Sequence, residues 1–284
     1  MDSRFLETLV RVVELGSIAE AARRLDLTPP TVAQRLRALE AEVGSPLVTR
    51  AGRTVKPTVA GTRVIEHAGV VLREIRDLMS AASGTDLPAG PLRLGATPTV
   101  MTGTLPAVLK AWVEHHPQIE VYIEPAPTAL LHERVLRGEL DAAILVHPAY
   151  ELPKTVMWHT LREEPLVLVT PTTMRVRDAL ATIASEPFIR YDRNVIAGRL
   201  ADDYLRKRNV RPKVRFELDG IENITRLVSE GLGVSVLPDW PGAGTNCPVR
   251  KWPLPSPFPS RTVGIMWQRS GVRAPLVSAF VALT

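Results

Sequence analysis

Between residues 17 and 43 apolar positions recur at helical spacing in two short runs separated by a break. Ile18, Ala21, Ala22 and Leu25 make the first stripe, and Val32, Leu36, Leu39 and Val43 the second. Ser17 and Glu20 stand three apart ahead of the first run, the spacing of a capping box. Asp26-Leu27-Thr28 interrupts the pattern. Thr28 suits an N-cap and Pro29 the first helical position, where a missing N–H costs nothing. At about 100° per residue, Pro30, Ala33, Gln34 and Arg37 point away from the inner stripe, with Thr31 and Arg35 on its flanks. Gly44 ends the second helix. The loop from Thr49 to Lys56 reads as a small wing carrying Arg50, Arg53 and Lys56. A helix pair with a tight turn and a basic wing predicts a winged helix-turn-helix. Its second helix carries a buried stripe and an exposed polar leading end, as entry into a DNA major groove requires.

A longer helical pattern follows, with Thr58 as its cap. Ile65, Ala68, Leu72, Ile75, Met79 and Ala82 are spaced three and four apart, which predicts an a/d seam and a dimerisation helix. The Gly/Ser/Pro-rich patch from Ser83 to Pro91 reads as a hinge. Beyond it strands and helices alternate. Strands are expected at Leu92–Ala96, Ile119–Glu124, Leu140–Val146, Pro165–Thr170, Val214–Leu218, Gly233–Leu237 and Arg261–Trp267. One helix is expected to run on from the first strand to about His116, and others lie at Thr128–Arg137, Arg199–Arg208, Glu222–Glu230 and near the C-terminus. Such alternation implies open α/β sheets.

The stretch SIAEAARRLDLTPPTVAQRLRALEAEVGSPLVTRAGRTVKPTVAG, residues 17–61, resembles the LysR-type transcriptional regulators. GELDAAI at 138–144 and LVSEGLGVSVLP at 227–238 resemble that family's later motifs, so the likeness covers the whole chain. Four positions depart from the pattern. Pro29 stands where a polar residue is usual, Ala33 where Ser or Thr is common, and Val48 and Pro57 where Phe and Leu are more frequent. Direct base readout is therefore expected to lean on Gln34, Thr31 and the wing arginines.

The resemblance implies a winged helix-turn-helix (mainly α, residues 1–57), a linker and hinge (58–90), and a two-subdomain α/β effector domain like a periplasmic binding protein (91–284). Subdomain I would hold 91–164 and 265–284, and subdomain II 165–264, with crossover strands near 161–170 and 261–267. It implies a tetramer built from two dimers on a partly palindromic site, whereas the seam alone supports the dimer. Effector binding would shift the closure of the subdomains and so the placement of the DNA-binding heads.

Ligands of open α/β sheets bind beyond the carboxyl ends of strands. The first strand delivers Thr97 and Thr99 there, and Thr128 opens the helix after the second strand. Backbone N–H groups at these helix starts suit an anion, so a carboxylate-bearing co-inducer is one candidate; the threonines equally suit plain N-caps. The resemblance implies that Thr99 and Thr128 serve the effector. Val146 and Ile196 would add an apolar wall. His147 fits either a pH sensor or an ordinary loop histidine. Trp112, Trp158 and Trp267 read as core or interface residues.

Composition narrows the partners. Among 284 residues the formal net charge is +5. From Thr28 to Lys56 five cations (Arg35, Arg37, Arg50, Arg53, Lys56) face two acids (Glu40, Glu42), a local balance of +3. That bias aids association with double-stranded DNA without specifying sequence. RNA polymerase is a further candidate partner. No apolar run reaches membrane-spanning length and no signal-peptide pattern opens the chain, so a cytoplasmic protein without membrane contact is expected. The single Cys247 excludes an intrachain disulfide. No phosphate-binding glycine loop, metal-ligand spacing or nucleophile signature occurs, and Glu163-Glu164 reads as a solvated acid pair. No enzyme activity and no cofactor are expected.

Overall fold

The computed structural model describes residues 1–52, 54–82, 90–241, 247–270 and 272–284. It divides into two compact units, Met1–Ala89 and Gly90–Thr284.

The first unit opens with α1 (Ser3–Leu15), followed by α2 (Ile18–Arg24) and α3 (Pro29–Val43). Each start is set by a side chain. Asp2 caps α1, Ser17 Oγ accepts from Glu20 N at 3.3 Å, and Thr28 Oγ1 accepts from Thr31 N at 3.4 Å. The capping box at Ser17 closes on one side only, because the Glu20 carboxylate turns to Arg23. Gly44 ends α3 at φ 75°, a left-handed conformation that glycine takes without steric cost. Strands β1 (Val48–Ala51) and β2 (Thr54–Pro57) pair antiparallel as the wing. Then comes α4 (Val59–Ala82), capped by Thr58, whose hydroxyl accepts from Gly61 N and donates to the Pro46 carbonyl. Gly61 is needed for close approach, since a Cβ there would lie 1.9 Å from the Leu47 carbonyl oxygen.

The core of this unit joins Leu6, Leu9 and Val12 of α1 to Ala21, Ala22, Val32, Leu36, Leu39, Leu47 and Ala68. That membership corrects the expected dimer seam. Ala68 is 1% exposed within its own unit, and Ile65 and Leu72 are partly buried against the same cluster. The cause is α1, which packs along the first half of α4. Ile75 is half-buried, and Met79 is 70% exposed. The apolar residues that α4 leaves most open on its second half are Leu78 and Met79, with Val71 less so. The free stripe is thus rotated from the a/d register and begins later. The hinge residues 83–89 and the side chain of Ala82 lie outside the described residues.

The second unit contains β3 (Leu92–Ala96), α5 (Pro98–Thr102), α6 (Leu105–His115), β4 (Val121–Pro125), α7 (Thr128–Leu136) and β5 (Ala142–Val146). It continues through β6 (Val156–Pro171), α8 (Ala179–Ser185), β7 (Pro187–Tyr191), α9 (Ile196–Lys207), β8 (Lys213–Leu218), α10 (Ile221–Ser229) and β9 (Ser235–Pro238). It closes with β10 (Val249–Pro253), β11 (Ser260–Gln268) and α11 (Ala274–Val281). The expected helix after β3 breaks into α5 and α6 around Gly103; a Cβ at Gly103 would meet the Thr99 carbonyl at 2.9 Å and Pro241 at 3.7 Å. Elements α8, β7 and β10 had no periodic signal strong enough to be expected.

Two lobes share two strands. The first half of β6 pairs with β11, and its second half with β9 and β10. On its other side β11 joins β5, which continues through β3 to β4. Strands β7 and β8 reach the second lobe's sheet through a bridge between Phe188 and Val234. A core from Leu166 to Leu254 fills this lobe, while Leu131, Val135, Leu145 and Met266 belong to a cluster in the first lobe. Burial of these side chains at about 25 cal/mol per Å² is the main term holding each lobe together.

Candidate functional site

In the first unit the candidate surface is the leading end of α3. Thr28, Pro30, Gln34 and Arg37 are exposed there, Thr31 is half-buried, and Val32, Leu36 and Leu39 on the opposite side are in the core. Thr28 and Thr31 also pair hydroxyl to hydroxyl at 2.8 Å, so both are engaged in shaping the turn. Arg37 Nε donates to the Ala33 carbonyl at 3.3 Å, and the guanidinium stays in solvent. Arg35 departs from the expectation. It is half-buried and donates to Thr8 Oγ1 at 3.4 Å, which draws it back onto α1 rather than out toward a groove.

The wing corrects a second expectation. Register pairs Thr49 with Lys56 and Arg50 with Val55, so Arg50 and Lys56, both exposed, sit on opposite faces of the ribbon. A single phosphate strand therefore meets one of these faces, not all the wing cations at once. Arg53 lies outside the described residues. The pattern gave no hint of Glu40, whose Oε1 accepts from Leu47 N at 2.8 Å and Val48 N at 3.3 Å. This carboxylate ties the end of α3 to the start of the wing.

In the second unit Thr97 and Thr99 both lie at the carboxyl end of β3 and are buried. Thr97 is the N-cap of α5, but its side chain makes no capping bond. With five residues, α5 is too short to focus much dipole on an anion, so the helix start cannot supply the charge expected of it. The charge comes from arginine instead. Arg261 Nη2 donates to Thr99 Oγ1 at 3.3 Å, and Arg261 Nε donates to Glu164 Oε2 at 2.7 Å. Arg162 Nε donates to Glu164 Oε1 at 2.6 Å, and Arg162 Nη1 donates to Thr104 Oγ1. Glu164 is 0% exposed and Arg261 5%. The reading of Glu163-Glu164 as a solvated pair thus fails at Glu164. Glu163 does point outward, held by Ser260 Oγ and Thr262 Oγ1.

This network spans the two shared strands, with Arg261 directly opposite Glu164 in the ladder. Tyr191, at the end of β7, faces it from the second lobe. Burial pushes the Tyr191 hydroxyl up to about 12, with Arg261 opposing the rise and Asp219 adding to it. The phenol is therefore neutral and a donor near pH 7. Val146 ends β5 beside Val263 of β11 and is buried. Thr128 is the first residue of α7 with Pro127 as N-cap, and Ile196 opens α9; both are half-buried and stand outside the charged network. A period-two reading of β6 had the signal to find the charges. Arg162 and Glu164 fall on the face of Leu166 and Leu168, which is buried.

The other candidate side chains stay structural. His147 is half-buried, shares Nδ1 with the Pro148 carbonyl at 2.6 Å and meets the Trp158 ring edge-on at 4.7 Å. Trp112 is fully buried against Phe280, and Trp267 is nearly so. Cys247 is a free thiol, and no metal-holding group of His, Cys, Asp and Glu occurs among the described residues.

Comparison with known proteins decides the family. The model of the LysR substrate binding domain matches residues 85–284, and that of the bacterial regulatory helix-turn-helix protein, lysR family, matches residues 3–62. The chain belongs to the LysR family. It is a DNA-binding transcriptional regulator with a helix-turn-helix head and a C-terminal effector-binding domain. Among curated LysR relatives, the HTH-type transcriptional activator IlvY of Salmonella typhimurium is 27% identical over 99% of this chain and 98% of its own. Among solved LysR structures, a full-length OxyR point variant from Pseudomonas aeruginosa is 25% identical, covers 100% of this chain and 94% of its own, and has a TM-score of 0.69. Full-length CbnR complexed with its target DNA shares the fold at 19% identity and a TM-score of 0.71, covering 100% of this chain and 98% of its own. No helix among the described residues is long and apolar enough to cross a membrane.

Proposed function

We propose that this LysR regulator reads DNA with the exposed end of α3 and answers to a small molecule at the seam between the lobes of its effector domain. One observation carries the first half: Pro30, Gln34 and Arg37 project from a helix whose other side is sealed into the core. Gln34 can pair bidentately with an adenine edge, since its amide both donates and accepts. Arg37, and Lys56 on one face of the wing, bring charge to phosphates. Pro30 supplies shape and apolar contact but no hydrogen bond.

The second half rests on the buried polar network around Thr99, Glu164 and Arg261, which is placed where α/β sheets take ligands. A carboxylate-bearing co-inducer suits the arginines there. Self-association follows from the exposed Leu78 and Met79 on α4, which a second copy of the same helix would cover, giving a dimer and, through further contacts, a tetramer. The protein acts on DNA in the cytoplasm and works with RNA polymerase, with no chemistry of its own and no cofactor.

The test is a binding titration against operator variants. Gln34→Ala should flatten the preference among bases at one position of each half-site, while the affinity for random DNA stays within about twofold. An unchanged base preference would remove α3 from the groove.

A further inference from the structure

The charges at the lobe seam do not balance. Arg162 and Arg261 each give one oxygen of Glu164 a partner, so two permanent cations share one carboxylate. All three side chains are deep, with side-chain exposures of 16%, 4% and 0% for Arg162, Arg261 and Glu164. The acids around them do not close the sum. Among the described residues Glu164 is the carboxylate within ion-pair distance of either guanidinium: Glu163 lies on the outer face of β6, and Asp192 and Asp219 belong to the second lobe without an ion pair to Arg162 or Arg261. Tyr191 is neutral. One buried positive charge is left over, and burying an uncompensated charge is costly. Two buried polar atoms at this seam also lack a hydrogen-bond partner among the described residues: Arg162 Nη2 on the shared strand and Thr97 Oγ1, two residues from the threonine that Arg261 holds.

Building on the effector reading above, we propose that the ligand of this seam carries a single negative charge, a monocarboxylate, and that Arg162 Nη2 and Thr97 Oγ1 bind its oxygens. Glu164 is a positioning residue. It orients both guanidiniums and, by neutralising one, sets the number of charges the ligand must bring. A neutral amide leaves the extra cation buried, and a dicarboxylate leaves an extra anion. Discrimination therefore comes from the charge count as well as from shape.

The experiment uses the full-length protein at constant ionic strength. Linear monocarboxylates of two to six carbons are titrated beside the matching amides and dicarboxylates, with calorimetric binding and operator affinity as readouts. A monocarboxylate should bind at least about tenfold more tightly than its amide or dicarboxylate. Arg162→Gln should erase that advantage over the amide. Glu164→Gln should move the preference to the dicarboxylate, a reversal that a merely loosened fold would not produce. If Glu164→Gln does not fold, Arg162→Gln decides alone. Equal binding of amide or dicarboxylate by the wild type, no binding by any monocarboxylate, or equal weakening of every ligand in Arg162→Gln would overturn the charge count. An amide or dicarboxylate that binds as tightly as the monocarboxylate and alters operator affinity would leave the effector reading standing while the charge count fell. Absence of any ligand that alters operator affinity would count against both.

Discussion

The head and the lobe seam solve opposite problems. On α3 Pro30, Gln34 and Arg37 face water while Val32, Leu36 and Leu39 face inward, so reading and packing fall to different residues. At the seam the working charges are themselves buried and also tie β6 to β11, so Glu164 and Arg261 support the fold as well as any ligand. Substitutions should then separate cleanly in the head and not at the seam.

Glu164→Ala presses hardest on that contrast. It leaves two guanidiniums facing each other in a dry site, and breaking a buried pair costs about 3–5 kcal/mol. Thermal unfolding of the effector domain should fall by many degrees; an unchanged melting point would mean water reaches the pair. A pair of substitutions on α4 tests the same separation inside the head. Leu72→Asp puts a charge against the core and should unfold the head, whereas Leu78→Asp should leave the head's circular dichroism intact and yield monomers by light scattering. If Leu78→Asp keeps the wild-type mass, the exposed stripe is not where copies meet. Thr28→Ala removes the cap of α3 and should cost about 1 kcal/mol in chemical denaturation.

Smaller effects follow on the surface. Lys56→Ala should lower the salt slope of DNA binding by about one unit and weaken all sequences alike. Arg35→Ala should leave that slope unchanged and reduce stability instead, since Arg35 reaches Thr8. The weakest is a pH effect. Burial lowers the pKa of His132 below its usual 6.5, so the folded state resists the proton that the unfolded chain takes up. Stability from this residue is present above about 6.5 and is lost as pH falls through the lower folded value. His132→Gln should flatten that acid limb; the same limb in both proteins would assign it elsewhere.

Legibility followed the range of the interactions. Caps, turn and stripes of α2 and α3 are made by residues within a few positions, so Ser17, Thr28 and Gly44 announce them. The α4 seam was misplaced because heptad spacing records an apolar face and not the identity of what covers it; α1 covers Ala68. The arginine–glutamate network joins residues 97 positions apart on antiparallel strands, and no local pattern holds that pairing. Thr99 was within reach because a strand end is a local feature, yet its partner Arg261 lies 162 residues away. Family resemblance carried no information about the charges between the lobes.

The long strand β6 has one more implication, for the lengths that evolution can sample. Its face alternates without interruption from Arg162 through Leu168 while the strand passes from one sheet to the next. Deleting one residue at the Glu163–Pro165 junction would invert the parity of everything downstream, exchanging the packing positions of Leu166 and Leu168 with those of Val167 and Val169. Deleting two would preserve it. Relatives should therefore differ in length at this junction by even steps or not at all.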